Sequence, residues 1–164
     1  MSQQLHIGLL LAVTRRRIKQ VVSTLVGDKS LSPQQFWTLV AVAEHEGLSL
    51  KALAEGRRMD QPTASRLACT LADRGLLSAR VDPGDRRALC LSLTASGRAL
   101  SERLVPIAAR VRDAVEGSLA ARERAQVVSA LGKIVASLDQ LERDCRGPSR
   151  ARKRGASPDR VRSS

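Results

Sequence analysis

The sequence predicts an α+β fold that is mainly α-helical with one small β-hairpin. Apolar residues recur at helical spacing through most of the 164 residues, whereas residues 82–94 combine a turn with an alternating apolar and polar pattern. The hydrophobic content of 43% is sufficient for one core. We therefore expect helices on both sides of a single hairpin.

The first predicted helix carries an apolar stripe and a run of three arginines. The stripe comprises Leu11, Ile18, Val22 and Leu25, and the run comprises Arg15, Arg16 and Arg17. The apolar run 7–13 is too short for a membrane span, which needs about 20 residues, and no small-residue cleavage site follows it. We expect a protein that does not contact membranes and acts in the cytoplasm.

Residues 49–77 have the pattern of two short helices joined by a turn. Ser49 and Asp60 are good N-caps for these helices, and Pro62 falls in the first turn of the second, where a missing N–H costs little. Apolar residues at i, i+3, i+4 and i+7 define the inward face of the second helix; they are Ala64, Leu67, Ala68 and Leu71.

The opposite face of this second helix is polar and basic. Its side chains can bond base edges and phosphates, and a guanidinium such as that of Arg66 can bond a guanine bidentately. The candidate reading residues are Gln61, Thr63, Ser65, Arg66 and Thr70. An ordinary solvated helix face has a similar composition, so the helix alone leaves both interpretations open.

The hairpin that follows is predicted to present two arginines at its tip. Pro83 and Gly84 supply the turn, and Arg86 and Arg87 remain at the exposed end. The strand face expected to lie on the protein body comprises Leu89, Leu91 and Leu93. A stiff strand pair with guanidinium groups at its end suits the narrow minor groove of DNA.

The predicted elements follow the order of a winged helix-turn-helix. They are a helix, a turn, a second helix that ends at Gly75, and a hairpin with a basic tip. Over roughly residues 5–143 the sequence resembles the MarR family of bacterial transcriptional regulators. The matching residues lie in 31–36, 53–54, 63–67, 71, 74–76, 82, 85–87, 91–94, 97 and 100. The resemblance implies that Arg87 enters the minor groove and that Asp85 orients it.

The turn of the helix-turn-helix departs from the family pattern. Arg57 and Arg58 stand where the family more often has an aliphatic residue and a glycine. The geometry of this turn is therefore less certain from sequence, and the two arginines add candidate phosphate contacts.

Two further long helices are predicted near the C-terminus. One carries Leu100, Leu104, Ile107, Val111 and Val115, slightly disturbed by Pro106. The other has apolar residues spaced by four, three, four and three, which is typical of a helix seam; they are Val127, Leu131, Ile134, Leu138 and Leu141.

These long helices predict a homodimer, because a winged module of about 65 residues does not need three further helices to close its core. The candidate interface residues are Leu11, Ile18, Leu131, Ile134, Leu138 and Leu141. Two recognition helices related by a two-fold axis would read a palindromic operator in double-stranded DNA. The alternative is an intramolecular three-helix core in a monomer.

The net charge of +12 agrees with a nucleic-acid partner without proving one. Residues 146–164 hold seven basic residues and one acidic residue, a net charge of +6. This tail has almost no apolar residue, so we expect it to be disordered and to add sequence-independent DNA affinity by counterion release. A dispensable solvated end is the alternative.

No catalytic, metal-binding or cofactor-binding constellation is recognisable in the sequence. Its two histidines are far apart, its three cysteines lack metal-ligand spacing, and it has no glycine-rich phosphate loop. One phenylalanine, one tryptophan and no tyrosine disfavour the aromatic stacking on which single-strand and RNA binders rely. We expect a non-enzyme without cofactor or metal.

The resemblance also implies a small-molecule effector. Members of the family commonly bind small phenolic or aromatic acids in a cleft between the dimer helices and the winged module, where Phe36 and Trp37 would lie. One of Arg15, Arg16 and Arg17 would then hold the carboxylate. The alternative is that Phe36 only packs in the core while Trp37 is partly exposed.

A thiol trigger is a rival to the effector, because some family members sense peroxides. Cys69 and Cys90 lie off the apolar faces of their elements, and arginines near a thiol are one of the features that can lower its pKa. Neither residue matches the usual sensor position near the N-terminus. A role as small-residue filler is the alternative.

Together these features predict a homodimeric, ligand-responsive repressor associated with the nucleoid. Its expected parts are an N-terminal dimerisation helix at 1–29, a winged helix-turn-helix at 30–97, dimerisation helices at 98–145 and a basic tail at 146–164. Two alternatives remain, a sequence-independent architectural DNA-binding protein and a thiol-based redox regulator.

Overall fold

The computed structural model describes residues 6–27, 30–82, 84–85 and 88–145. Over these residues the chain forms six helices and three strands: α1 (Ile7–Val26), α2 (Pro33–Glu44), β1 (Leu48–Ser49), α3 (Leu50–Gly56), α4 (Gln61–Asp73), β2 (Leu77–Val81), β3 (Leu89–Leu93), α5 (Ala95–Glu116) and α6 (Ala121–Cys145). The elements fall into two compact units, within residues 1–118 and 119–164. The predicted α+β winged helix-turn-helix is confirmed.

The core of the first unit is built around α2. Ser32 starts this helix with a capping box, in which Ser32 Oγ accepts from the N–H of Gln35 at 3.2 Å and Gln35 Oε1 accepts from the N–H of Ser32 at 2.8 Å. Four apolar residues of α2 are buried: Phe36, Leu39, Val40 and Val42. They meet buried leucines from the other elements of the unit, at Leu53, Leu71, Leu91 and Leu104.

The helix-turn-helix consists of α3 and α4, and both predicted caps are confirmed. Ser49 Oγ accepts from the N–H of Ala52 at 3.0 Å, and Asp60 Oδ1 accepts from that of Thr63 at 2.6 Å. The inward residues of α4 are buried at Ala64, Ala68 and Leu71 and half-buried at Leu67. The two helices are therefore fixed to the core by the faces that the sequence indicates.

The end of α4 is tied to the start of α2 by Arg74. The Arg74 guanidinium donates to the carbonyl and the hydroxyl oxygen of Ser30, both at 3.0 Å. Gly75 then takes a φ of 67°, a left-handed conformation that favours glycine, and ends the helix as predicted.

The wing is the antiparallel pair of β2 and β3 in a sheet of order β1-β3-β2. Leu91 and Leu93 are buried, as predicted, but Leu89 is 41% exposed. Leu89 pairs with Val81, which is 55% exposed, at the end of the hairpin that extends beyond the core. The expectation that Leu89 packs on the body is therefore wrong, because alternation assigns a face but not the point where the core ends.

A close junction joins the wing to α5. The N–H of Thr94 donates to the carbonyl of Leu76 at 3.2 Å, and Thr94 Oγ1 accepts from the N–H of Gly97 at 3.0 Å. A Cβ atom placed on Gly97 would overlap the carbonyl oxygen of Leu76. Glycine is required at this position by a backbone contact rather than by its φ.

α5 runs without interruption past Pro106 and packs on α1 and α2. The α5 residues Leu104, Ala108 and Val111 are buried. Two ion pairs connect α5 to the end of α2 and the residues after it: Arg112 to Glu44 at 2.6 Å and Arg98 to Glu46 at 3.0 Å. Both pairs are largely exposed, so we attribute most of the stability of this contact to the apolar residues.

The two helices that carry the candidate interface residues, α1 and α6, differ in burial. On α1, Val22 is buried and Ile18 packs partly on the core of its own unit, whereas Leu11 is 37% exposed. α6 has no buried residue at all among Ala121–Cys145. Its exposed large apolar residues are Val127, Val128, Leu131, Leu138 and Leu141.

Candidate nucleic-acid interface and adjoining cleft

The outward face of α4 presents the predicted reading residues together. Gln61, Arg66 and Thr70 are exposed, and Thr63 and Ser65 are half-buried. Arg66 Nη2 donates to Thr63 Oγ1 at 3.3 Å, and Thr70 Oγ1 donates to the carbonyl of Arg66 at 2.8 Å. The first bond joins the side chains of Arg66 and Thr63, and the second holds the Thr70 hydroxyl on the helix backbone.

The first turn of α4 already holds a negative charge. Hydrogen bonds from Thr63 lower the pKa of the Asp60 carboxyl below its usual value, so Asp60 is ionised at the helix N-terminus. A DNA phosphate is therefore disfavoured at this helix end.

The turn between α3 and α4 shows the backbone conformation at the position where the chain departs from the family pattern. Arg58 adopts a φ of 48°, a left-handed conformation in which glycine is unstrained and another L-residue costs about 1 kcal/mol. The arginine at this position is therefore accommodated at some cost in stability.

Asp82 organises the base of the wing loop. Its Oδ1 accepts from the N–H groups of Gly84 and Asp85, at 2.7 and 3.2 Å. The N–H of Asp82 donates to the carbonyl of Ala88 at 2.9 Å, which closes the loop. Arg86 and Arg87, the predicted wing arginines, and Pro83 lie outside the described residues.

Neighbouring arginines do not activate the thiol of Cys90. Its Sγ donates to Asp82 Oδ2 at 3.2 Å, and this bond to a carboxylate raises the pKa of Cys90 above its usual value. A raised pKa leaves less of the reactive thiolate at neutral pH. Cys90 therefore holds the wing loop through Asp82 instead of being activated.

A cleft adjoins the helix-turn-helix on the side of α1. It has a volume of about 410 Å³ and is lined by Arg15, Ile18, Lys19, Ser32, Pro33, Gln34, Trp37 and Arg57. Trp37 is half-buried and meets Phe36 edge-on, with ring centroids 4.9 Å apart. Phe36 itself is buried in the core and does not line the cleft.

The three arginines predicted to hold an effector differ in their position relative to the cleft. Arg15 lines the cleft, whereas Arg16 and Arg17 do not. Arg17 Nη1 instead donates to Gln20 Oε1 at 3.2 Å. Of the three candidates, only Arg15 is positioned to reach a molecule in this cleft.

Arg57, predicted as a phosphate contact, reaches into the same cleft. The centre of its guanidinium lies 5.7 Å from the centroid of the Trp37 ring, which is a cation–π contact. Part of Arg57 remains in solvent, but desolvation of its guanidinium lowers its pKa. Its role in DNA binding stays a prediction.

Two basic residues near these surfaces, Lys19 and Arg80, were not identified as functional from the sequence, and the place of Arg57 in the cleft was not predicted either. Lys19 follows Arg15 by four residues on α1, which is the one signal that could have placed it in the cleft. Arg57 enters the cleft only through the fold of the turn. Arg80 is exposed on the wing, opposite Cys90 on the neighbouring strand.

Within residues 6–27, 30–82, 84–85 and 88–145, no cluster of His, Cys, Asp and Glu is arranged to hold a metal ion. No helix in the described part of the chain is long and apolar enough to cross a membrane.

Comparison with known proteins agrees with the helix-turn-helix and wing. A sequence model of the MarR family matches residues 29–88. The HTH-type transcriptional repressor NicR of Pseudomonas putida is 33% identical over 132 residues, which cover 80% of this chain and 84% of that protein.

Two solved structures extend the likeness to most of the fold. BpsR of Bordetella bronchiseptica, described for the regulation of its DNA binding by 6-hydroxynicotinic acid, is 32% identical with a TM-score of 0.62 and covers 79% of this chain and 98% of its own. PcaV of Streptomyces coelicolor, determined with its natural ligand, is 26% identical with a TM-score of 0.67 and covers 84% and 99%. The chain is a transcriptional regulator that belongs to the MarR family.

Proposed function

We propose that this protein is a homodimeric repressor that leaves a palindromic operator when a small aromatic or phenolic acid binds. The single observation that carries the proposal is the position of the cleft, which shares Arg57 with the turn that leads into α4. A ligand in the cleft therefore touches the segment that carries the reading helix. Binding is the whole mechanism, with no catalytic step and no cofactor.

On the DNA side, α4 enters the major groove with its polar face. Arg66 is the candidate for a bidentate contact to guanine, and Thr63, which it contacts, shares the same groove surface. The other base or phosphate contacts are assigned to Gln61, Ser65, Thr70, Arg57 and Arg58. Arg86 and Arg87 anchor the wing, with Asp85 orienting Arg87.

The second copy of the chain is proposed to cover α6. α6 has 25 residues and none of them is buried, although Ile134 and Val135 are partly buried and the helix exposes a seam of apolar side chains. The seam residues Leu131, Ile134, Leu138 and Leu141 are assigned to the interface together with Leu11 and Ile18 of α1. The resulting pair of heads suits two half-sites of one operator.

The effector is proposed to place its carboxylate on Arg15 and its ring on Trp37. A guanidinium and a flat aromatic surface in one cleft suit an aromatic acid. The regulation of BpsR by 6-hydroxynicotinic acid is that of a relative and supports the class of ligand. Occupancy of the cleft would change the spacing of the two heads and so lower the affinity for the operator. The protein would act in the cytoplasm at the nucleoid.

Two alternatives are tested against this proposal. An architectural DNA-binding protein would bind operator and random duplexes equally at every salt concentration, whereas a repressor should show a gap of about 10³-fold or more. A salt titration on both duplexes separates them. A redox switch at Cys90 is disfavoured by the raised pKa of its thiol.

Replacing Arg87 with alanine is expected to lower operator affinity by about 1–3 kcal/mol, the usual value of a well-placed arginine contact. The thermal midpoint should not change, because the sequence predicts this side chain at the exposed end of the hairpin. Fluorescence anisotropy with a labelled operator measures the effect. Arg110→Ala, a charge removed from an exposed position of α5, is the control; equal losses in the two variants would contradict the wing assignment.

Deleting residues 146–164 is expected to weaken binding to operator and random DNA by similar factors. The deletion removes a net charge of +6, which contributes counterion release without reading sequence. The slope of log affinity against log salt should become shallower. A loss confined to the operator would show instead that the tail recognises sequence.

A further inference from the structure

The cleft beside the helix-turn-helix is lined by three cationic side chains. Arg15 and Lys19 stand one helical turn apart on α1, and Arg57 comes from the end of α3. Among the residues that the structure describes, no acidic side chain lines the cleft. Within the described ranges, none of the three cations is paired with a carboxylate.

A ligand with a single carboxylate compensates only part of the positive charge of this cleft. The three cations are exposed to solvent, and one negative charge near Arg15 and Lys19 leaves two of them without a counter-charge at the cleft. Like charges gathered at one cleft repel one another, and solvent weakens this repulsion without removing it. An acid with two negative groups leaves one cation uncompensated, and that cation can stay in contact with solvent.

Arg57 reaches the cleft from a different element than Arg15 and Lys19 do. Its guanidinium is held over Trp37, at 5.7 Å from the ring centroid, whereas Arg15 and Lys19 project from a different helix. A planar ligand that packs on Trp37 can therefore carry one acidic group toward α1 and another toward the helix-turn-helix turn. Desolvation already lowers the pKa of Arg57, and an anion beside it would offset that penalty.

We propose that the effector is an aromatic dianion, with one acidic group held by Arg15 and Lys19 and the second held by Arg57. This inference rests on the proposed effector cleft and specifies the class of ligand within it. Arg57 then determines specificity between aromatic acids with one and with two anionic groups. The second group also connects α1 to the turn before the reading helix.

The single tryptophan of the chain allows a direct test. Because Trp37 lines the cleft, quenching of its fluorescence should report ligand binding to the full-length protein without DNA. The probes are benzoate, isophthalate, terephthalate and cyclohexane-1,4-dicarboxylate, with dissociation constants checked by calorimetry. We expect one of the two aromatic diacids to bind about tenfold or more tightly than benzoate, the value of one further charge-assisted contact. The non-aromatic diacid should bind less tightly than that aromatic diacid.

Substitutions then assign the second contact. Arg57→Gln should remove the preference for the diacid and leave benzoate affinity within about twofold, whereas Arg15→Gln should weaken both. Arg103→Gln, which removes a guanidinium from an exposed position of α5 outside the cleft, is the matched control and should change neither. Thermal melting confirms that each variant is folded.

The outcomes distinguish this inference from the proposal on which it rests. Equal binding of benzoate and both aromatic diacids by the wild-type protein would overturn the dianion and leave the effector cleft in place. A diacid preference that survives in Arg57→Gln would overturn the role of Arg57. Failure of every aromatic acid to bind would overturn the effector cleft itself.

Discussion

Replacing Leu138 with glutamate is expected to convert the protein to a monomer and to lower its operator affinity by about 100-fold or more. Leu138 is 58% exposed in the protomer and belongs to the apolar seam of α6. If a second copy covers this seam, a carboxylate there must be desolvated without a counter-ion, which costs several kcal/mol. A single head then loses the effective concentration that linkage gives to the second half-site.

Sedimentation velocity measures the first effect and anisotropy with a palindromic duplex measures the second. Ala136→Glu is a matched control, because residue 136 is an exposed position of the same helix about half a turn away from the seam. It should remain dimeric and bind normally. A dimeric Leu138→Glu variant with full operator affinity would exclude α6 as the interface.

Replacing Gly97 with alanine should destabilise the first unit by about 3 kcal/mol, at the upper end of the usual cost of overpacking. The added methyl group would overlap the carbonyl of Leu76, which already accepts a hydrogen bond from Thr94. Neither partner is a flexible side chain, so the backbone between the wing and α5 must move. Chemical denaturation followed by circular dichroism measures the loss.

Gly56→Ala is the control for this substitution. Gly56 ends α3, and a Cβ atom built on it has no neighbour within 4 Å. The free energy of unfolding should change by less than about 1 kcal/mol. Similar losses in both variants would show that the contact with Leu76 is not the cause.

The sequence predicted those parts of the fold that depend on local signals. Ser49 and Asp60 were recognisable as caps because a cap bonds an N–H only three residues away. The inward face of α4 followed from helical spacing, since Ala64, Ala68 and Leu71 recur at the period of the helix. Such features need no knowledge of where other elements lie.

Features that depend on how elements meet could not be predicted in the same way. Alternation gave Leu89 the correct strand face, but the length of the core beneath the wing decided that it is exposed. Arg57 is placed in the cleft by the turn that brings it over Trp37, 20 residues earlier in the chain. The thiol of Cys90 meets Asp82 because the hairpin closes, so its pKa rises despite the arginines nearby in sequence.

The absence of any buried residue in α6 has a consequence for gene dosage. If the second copy covers α6, it also supplies the contacts that keep this helix ordered. Folding of α6 and association of the two copies are then one equilibrium, which shifts with protein concentration. Dilution should lower both the helical content and the midpoint of thermal unfolding. In a cell, operator occupancy would then rise more steeply than in proportion to the amount of protein. A modest fall in the synthesis of the protein would therefore release the genes that it represses, even without effector.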